Sequence, residues 1–145
     1  MMFCYQCQET AKNTGCTVMG VCGKSPQVSN LQDLLIYVLK GISHIVVKQN
    51  LDVKNLEEVN FETINSLFMT ITNANFDDDA IEKQIKKMLS LRDGLVESKE
   101  GLHDAAVFSV DTREDMLKKA ATVGILSTED EDVRSLRELI DRKSV

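Results

Sequence analysis

All four cysteines of this 145-residue chain fall near its start, at Cys4, Cys7, Cys16 and Cys22. The spacing is C-x2-C-x8-C-x5-C. The same stretch, residues 1–28, holds the only proline, Pro26, and three of the seven glycines, Gly15, Gly20 and Gly23. Its few apolar residues follow neither the helical nor the strand period. A segment of this kind has little apolar surface with which to offset the entropy of ordering, about 1–2 kcal/mol per residue. Its order has to come from something it binds, as metal sites commonly contribute to folding.

The thiols point to what that is. A C-x-x-C turn brings two thiolates to one metal or one cluster face, and the longer arcs let the other two approach from further corners, as iron–sulfur cubanes require. The rival reading is a structural Cys4 zinc site. Zinc sites of this type usually use two short knuckles, whereas here the second pair is separated by five residues. The glycines flank the cysteines, where a missing Cβ lets backbone N–H groups approach sulfur. Lys12 and Lys24 can offset the negative charge. The N-terminus shows no basic stretch followed by an apolar one, so no secretory signal is expected. A cytoplasmic, reducing setting follows as an expectation, and there cysteines serve as metal ligands rather than disulfides.

The rest of the chain reads as helices. Residues 29–49 have Ser29 or Asn30 as cap and a stripe of Leu31, Leu34, Leu35, Val38, Leu39, Ile42 and Ile45. A second helix is expected over Phe61–Thr72, with Phe61, Ile64, Leu67, Phe68 and Ile71 on the buried side. A third is expected over Asp77–Val96, with acids in its first turn and Ile81, Ile85, Met88 and Leu89 inward. A fourth covers Thr112–Val123, with Asp111 and Glu114 as a capping-box-like pair and Gly124 at C′. A fifth starts at Thr128 with Glu131 as box partner and Arg142 and Lys143 at its end. The apolar run Ala105–Val110 is assigned to a loop rather than a strand. The expected fold is all-α, a helical bundle over 29–145 with the cysteine-rich cluster-binding loop of 1–28 wrapped onto one end, the two together forming one domain.

Several function classes are excluded. Net charge is −6 with no basic stripe, which argues against a nucleic-acid partner. No apolar run approaches the ~20 residues of a membrane span. G-x-S-x-G, P-loop and G-x-G-x-x-G motifs are missing from the sequence. His44 lies off the apolar stripe and reads as a surface histidine, and His103 lies in a loop with no cysteine nearby. Tyr37 reads as packing. Asp77-Asp78-Asp79 reads as a helix start, since the EF-hand glycine and twelfth-position Glu do not follow.

The stretch Met2-Phe3-Cys4-Tyr5-Gln6-Cys7-Gln8-Glu9-Thr10-Ala11, with Gly15-Cys16-Thr17 and Gly20-Val21-Cys22-Gly23-Lys24, resembles the start of the hybrid cluster proteins, also called hydroxylamine reductases. The resemblance continues through Leu31–Gly41, at Asp104-Ala105-Ala106, at Val123-Gly124-Ile125-Leu126 and over Glu131–Leu139. Residues 50–100 resemble the family only in helical character.

This resemblance implies that Cys4, Cys7, Cys16 and Cys22 bind a conventional cluster. The x8 and x5 arcs resemble the branch carrying [4Fe–4S] rather than the branch with longer arcs and [2Fe–2S]. The family's catalytic centre is a separate iron–sulfur–oxygen hybrid cluster, held by His, Glu and Cys of later domains, that reduces hydroxylamine to ammonia and acts on nitric oxide. The present chain has no fifth cysteine, so no residue carries over as a hybrid-cluster ligand. After Leu139-Ile140 it reads Asp141-Arg142-Lys143-Ser144-Val145, where the family continues an apolar helix. The expectation is an N-terminal, truncated form: an electron-transfer part without hydroxylamine reductase activity of its own. An electron-donor protein, the missing hybrid-cluster domains and a second copy of the chain are its expected partners.

Overall fold

The computed structural model describes residues 2–71 and 74–142, the side chains of Glu138 and 140–142 excepted. Among the described residues there are six α-helices and no strand, only an isolated antiparallel bridge between Cys4 and Cys16. The all-α expectation is borne out.

Helix α1, Pro26–Lys48, is the axis of the bundle and packs against α2, α3, α4 and α5. It begins three residues before the expected position. Ser25 Oγ accepts from Val28 N at 3.1 Å, and Pro26 occupies the first helical turn, where a missing N–H is not needed. The expected stripe is buried, with Leu31, Leu34, Leu35, Val38 and Ile45 wholly inaccessible. Each such side chain contributes about 1.5–3 kcal/mol relative to exposure.

Helix α3, Asp78–Leu95, is capped by Asp77, whose carboxylate accepts from Ala80 N at 3.1 Å. Ile81, Ile85, Met88 and Leu89 are buried against α1, as expected. The three aspartates do mark the helix start. Arg113 answers their charge, pairing with Asp78, Asp79 and Glu82.

Helix α2, Glu57–Thr70, corrects the sequence reading. The helix exists, starting four residues earlier than expected, and Thr72 lies outside the described residues. Its orientation is reversed. Phe61, Ile64 and Phe68 are 68%, 69% and 62% exposed, Leu67 is exposed too, and Ile71 is half-buried. The inward face is Val59, Glu62, Ser66 and Thr70. The reason lies on the neighbouring helix. Gln84 of α3 donates to Glu62 Oε2 and to Ser66 Oγ, both at 2.9 Å. Lys87 donates to Glu62 Oε1 at 2.7 Å. A buried amide must find partners, so α2 turns its polar side to α3.

The segment assigned to a loop contains one helical turn, α4, Asp104–Val107. His103 caps it, its Nδ1 accepting from Ala105 N at 3.1 Å. The buried Arg92 donates to Ala105 O and Phe108 O, at 3.1 and 2.6 Å, and so satisfies carbonyls that a one-turn helix leaves open. Gly41 lets α1 approach this turn: a Cβ at Gly41 would lie 2.0 Å from Ala105 O.

Helix α5, Arg113–Val123, is capped one residue later than expected. Thr112 and Asp115 form the reciprocal pair: Thr112 Oγ1 accepts from Asp115 N at 3.1 Å and donates to Asp115 Oδ2 at 2.6 Å. Gly124 ends the helix in an extended conformation, not the left-handed one a C′ glycine adopts. Helix α6, Glu131–Arg142, also starts later than expected, behind Asp130, which accepts from Val133 N at 3.0 Å. Its expected last basic residue, Lys143, lies outside the described residues. Among the described residues no helix is long and apolar enough to cross a membrane.

Candidate metal centre

The cysteine-bearing segment precedes α1 and folds against its N-terminal half. Cys4 and Cys16 exchange both backbone hydrogen bonds, Cys4 N to Cys16 O at 3.0 Å and Cys16 N to Cys4 O at 2.9 Å. That bridge closes the x8 arc. The C-x-x-C part turns immediately afterwards, with Thr10 N donating to Cys7 O at 3.3 Å. The last arc turns at Gly20, whose N–H reaches Lys24 O at 2.9 Å and whose carbonyl accepts from Gly23 N at 2.9 Å. A Cβ at Gly20 would stand 3.1 Å from Cys22 Sγ. The missing Cβ thus leaves room beside the Cys22 sulfur, but the Gly20 N–H goes to Lys24 O, and the N–H groups that serve the Cys16 sulfur are those of Ala11 and Val21.

The thiols differ in exposure. Cys16 is buried, Cys4 and Cys7 are half-buried, and Cys22 is exposed. Cys16 is the most thoroughly provided for. Its Sγ accepts from Ala11 N at 3.4 Å and lies 3.7 Å from Thr10 Oγ1. Burial pushes the Cys16 thiol up, but the N–H groups of Ala11 and Val21, the Thr10 hydroxyl and the Lys24 charge together hold it below the ordinary thiol value. A thiol favoured as thiolate is a thiol prepared to bind a metal.

Lys24 is the cation beside the site. It is only 1% exposed, and its Nζ donates to Gln32 Oε1 at 2.8 Å, Gln6 Oε1 at 3.1 Å and Cys4 Sγ at 3.8 Å. Lys12, the other expected counter-charge, is exposed. Gln6 and Gln32 were not singled out from sequence as site residues. Gln32 carried a signal nonetheless, since a polar residue set between Leu31 and Leu35 on an otherwise apolar stripe has to meet a buried partner.

The other residues weighed from sequence lie apart from the cysteines. His44 Nε2 accepts from His103 N at 3.3 Å, which ties α1 to the α4 turn. Tyr37 packs on Phe108 and donates to Asp104 at 2.7 Å. Burial and that hydrogen bond push its phenol up to about 12.

A soft, all-thiolate donor set served by backbone N–H groups and one buried cation suits an iron–sulfur cluster. Comparison with known proteins agrees in kind. The model of the Prismane/CO dehydrogenase family matches residues 2–144. The chain belongs to this family. The chain is 66% identical over 141 residues to a hydroxylamine reductase of Acetivibrio thermocellus, covering 96% of this chain and 26% of that protein. It is 50% identical over 148 residues to the hydroxylamine reductase of Desulfitobacterium hafniense, covering 96% and 27%. With that of Desulfovibrio desulfuricans it shares 47% over 143 residues, covering 96% and 26%. The chain thus spans about a quarter of the length of these relatives, and the family resemblance carried by the cysteine motif and the helices is borne out.

Proposed function

We propose that this chain is an iron–sulfur electron-transfer unit, corresponding to the N-terminal part of a hydroxylamine reductase. In this reading Cys4, Cys7, Cys16 and Cys22 hold a [4Fe–4S] cluster. Residues 1–28 are the cluster-binding segment and 29–145 the supporting bundle. The observation that carries it is the Cys16 sulfur, buried yet held towards its thiolate form by two backbone N–H groups, a hydroxyl and Lys24.

A cluster held here supplies one-electron transfer. The chain's own residues do the rest. The Cys4–Cys16 bridge sets two ligands on adjacent extended segments. Burial of Cys16 and the seat of Cys4 beside Lys24 would keep one side of a bound cluster from water, and the exposure of Cys22 supports electron entry or exit on the other side. Single-metal binding is less well supported. A tetrahedral zinc ion with Zn–S bonds of about 2.3 Å needs sulfurs about 3.8 Å apart. No three of the four cysteine sulfurs lie within 4.8 Å of one another.

The electron's destination in this proposal is a hybrid cluster on the part of a family protein that this chain does not span, with hydroxylamine reduced there to ammonia and nitric oxide as a further substrate. An electron-donor protein in the cytoplasm is the proposed source. By itself the chain is proposed to be inactive towards hydroxylamine, because its cysteines are all engaged in the one site.

Anaerobic isolation followed by iron, sulfide and zinc analysis tests the reading. About four iron and four sulfide per chain are expected, with sharp loss of both in Cys16→Ser and no loss in His103→Ala. One zinc without sulfide would overturn it.

A further inference from the structure

We propose that Lys24 is the counter-charge of the cluster and raises its reduction potential, its ammonium being held against Cys4 by Gln6 and Gln32. The inference rests on the iron–sulfur reading above.

Lys24 is as deeply buried as any polar residue of the bundle except Ser66 and Thr70, at 1% exposure. A buried ammonium is expensive unless an anion answers it. Among the described residues no carboxylate pairs with it. Its acceptors are two neutral amide oxygens and the Cys4 sulfur. An ammonium has three N–H donors and nothing to accept with, and three acceptors are what surround it. The orientation of one amide is fixed independently. Gln32 Nε2 donates to Met69 O and to Asn75 O, both at 3.2 Å, so its oxygen has to face Lys24. Gln32 is thereby a positioning residue. It anchors the ammonium to one carbonyl in the last turn of α2 and one just beyond it, and among the described residues the cysteine sulfur is the one acceptor of Lys24 that can carry negative charge.

The consequence is electrostatic. Reduction by a one-electron donor adds one electron, and so one negative charge, to what the thiolates hold. A fixed positive charge 3.8 Å from one ligand sulfur favours the more negative state. Local charge and hydrogen bonds to the sulfurs are among the factors that set cluster potentials.

The test is an anaerobic redox titration with dithionite as reductant, followed by electron paramagnetic resonance, on wild type, Lys24→Met, Lys24→Gln and Lys24→Arg. Neutral variants that load iron should be at least tenfold harder to reduce, a shift of about 59 mV to more negative potential for a one-electron couple, and Lys24→Arg should restore most of it. A loaded Lys24→Met or Lys24→Gln with the wild-type potential overturns the inference. If neither neutral variant takes up iron, Gln6→Glu decides, since it leaves Lys24 in place and sets a carboxylate against it. A more negative potential there supports the inference and an unchanged one overturns it. Failure of the underlying reading looks different, because the wild-type chain itself would then lack iron and sulfide.

Discussion

Helices α2 and α3 lie side by side and each carries an apolar stripe, yet only α3 turns its stripe to the core. Ile81, Ile85, Met88 and Leu89 of α3 are buried, while Phe61, Ile64, Leu67 and Phe68 of α2 face out. The contact between the helices is polar, built from Glu62, Ser66 and Gln84 with Lys87 at its edge. Periodicity shows that a helix has two unlike faces. Which face is buried depends on what the neighbour offers, and α3 offers an amide that needs acceptors. Hydrogen bonds of this type contribute about 0.5–1.5 kcal/mol each, less than burial of a phenylalanine. The outward stripe of α2 is therefore surface that the bundle does not use, and a contiguous apolar patch of this kind marks an interaction site. We propose that in the isolated chain it is covered by a second copy, the partner expected from the sequence.

The comparison can be broken most decisively on the α3 side. Met88→Ala should cost about 2–5 kcal/mol in chemical denaturation, as large-to-small changes in a filled core do. A cost below ~1 kcal/mol would mean that α3 does not seal the core as described.

Gln84→Leu comes next, at about 1–3 kcal/mol, because it removes the buried donor shared by Glu62 Oε2 and Ser66 Oγ, leaving Glu62 to Lys87 and the Ser66 hydroxyl to the Glu62 carbonyl. A neutral result would show that the two helices are held by something other than their polar faces.

Glu62 gives a pH signature of the same contact. Hydrogen bonds from Lys87 and Gln84 hold its carboxyl below the usual carboxylate range. A depressed folded-state value means stability that is fully present above the unfolded value of about 4.3 and is lost as pH falls through the lower folded value. Acid unfolding of Glu62→Gln should lack that component. Identical acid profiles for wild type and variant would contradict the assignment.

The smallest effect is expected on the exposed stripe. Phe68→Ser should change the stability of the monomer by no more than about 0.5 kcal/mol. In sedimentation at several concentrations, Phe61→Ser combined with Phe68→Ser should weaken association. A Phe68 cost like that of Met88 would restore the inward orientation read from the periodicity. A strictly monomeric wild type would remove the proposed second copy.

The cysteine segment was legible to a different degree. The four candidate ligands and the nearby Lys24 are local in sequence, so spacing and glycine placement were enough to single them out. Gln32 was harder to find. It acts on Lys24 only because the chain folds back so that the N-terminal half of α1 lies beneath the cysteine loop. Thr10 serves Cys16 through its hydroxyl and Ala11 through its backbone N–H, the second a contact made by backbone conformation rather than by residue type. The caps show the same division in miniature. The starts of α1, α3, α5 and α6 were readable to within a few residues, but the choice of Ser25 over Ser29 or Asn30, and of the Thr112–Asp115 pair over Asp111 and Glu114, depended on the path of the incoming chain.

Local chemistry alone determined that this protein is helical, that its long helices include α1 and α3 with their stripes inward, and that its four cysteines share one N-terminal segment. Each of these follows from residues within a few turns of one another, where side-chain period, capping and spacing act directly. Only the tertiary structure decided that α2 faces outward, that a single turn at Asp104–Val107 is held by Arg92 against Gly41, and that Lys24 is sealed between two glutamines and a cysteine. Those outcomes depend on partners far away in sequence: Gln84 lies 22 residues from Glu62, and Met69, whose carbonyl orients Gln32, lies 37 residues from it. A buried polar group is placed by its partner, and the partner's position is settled only when the helices have packed.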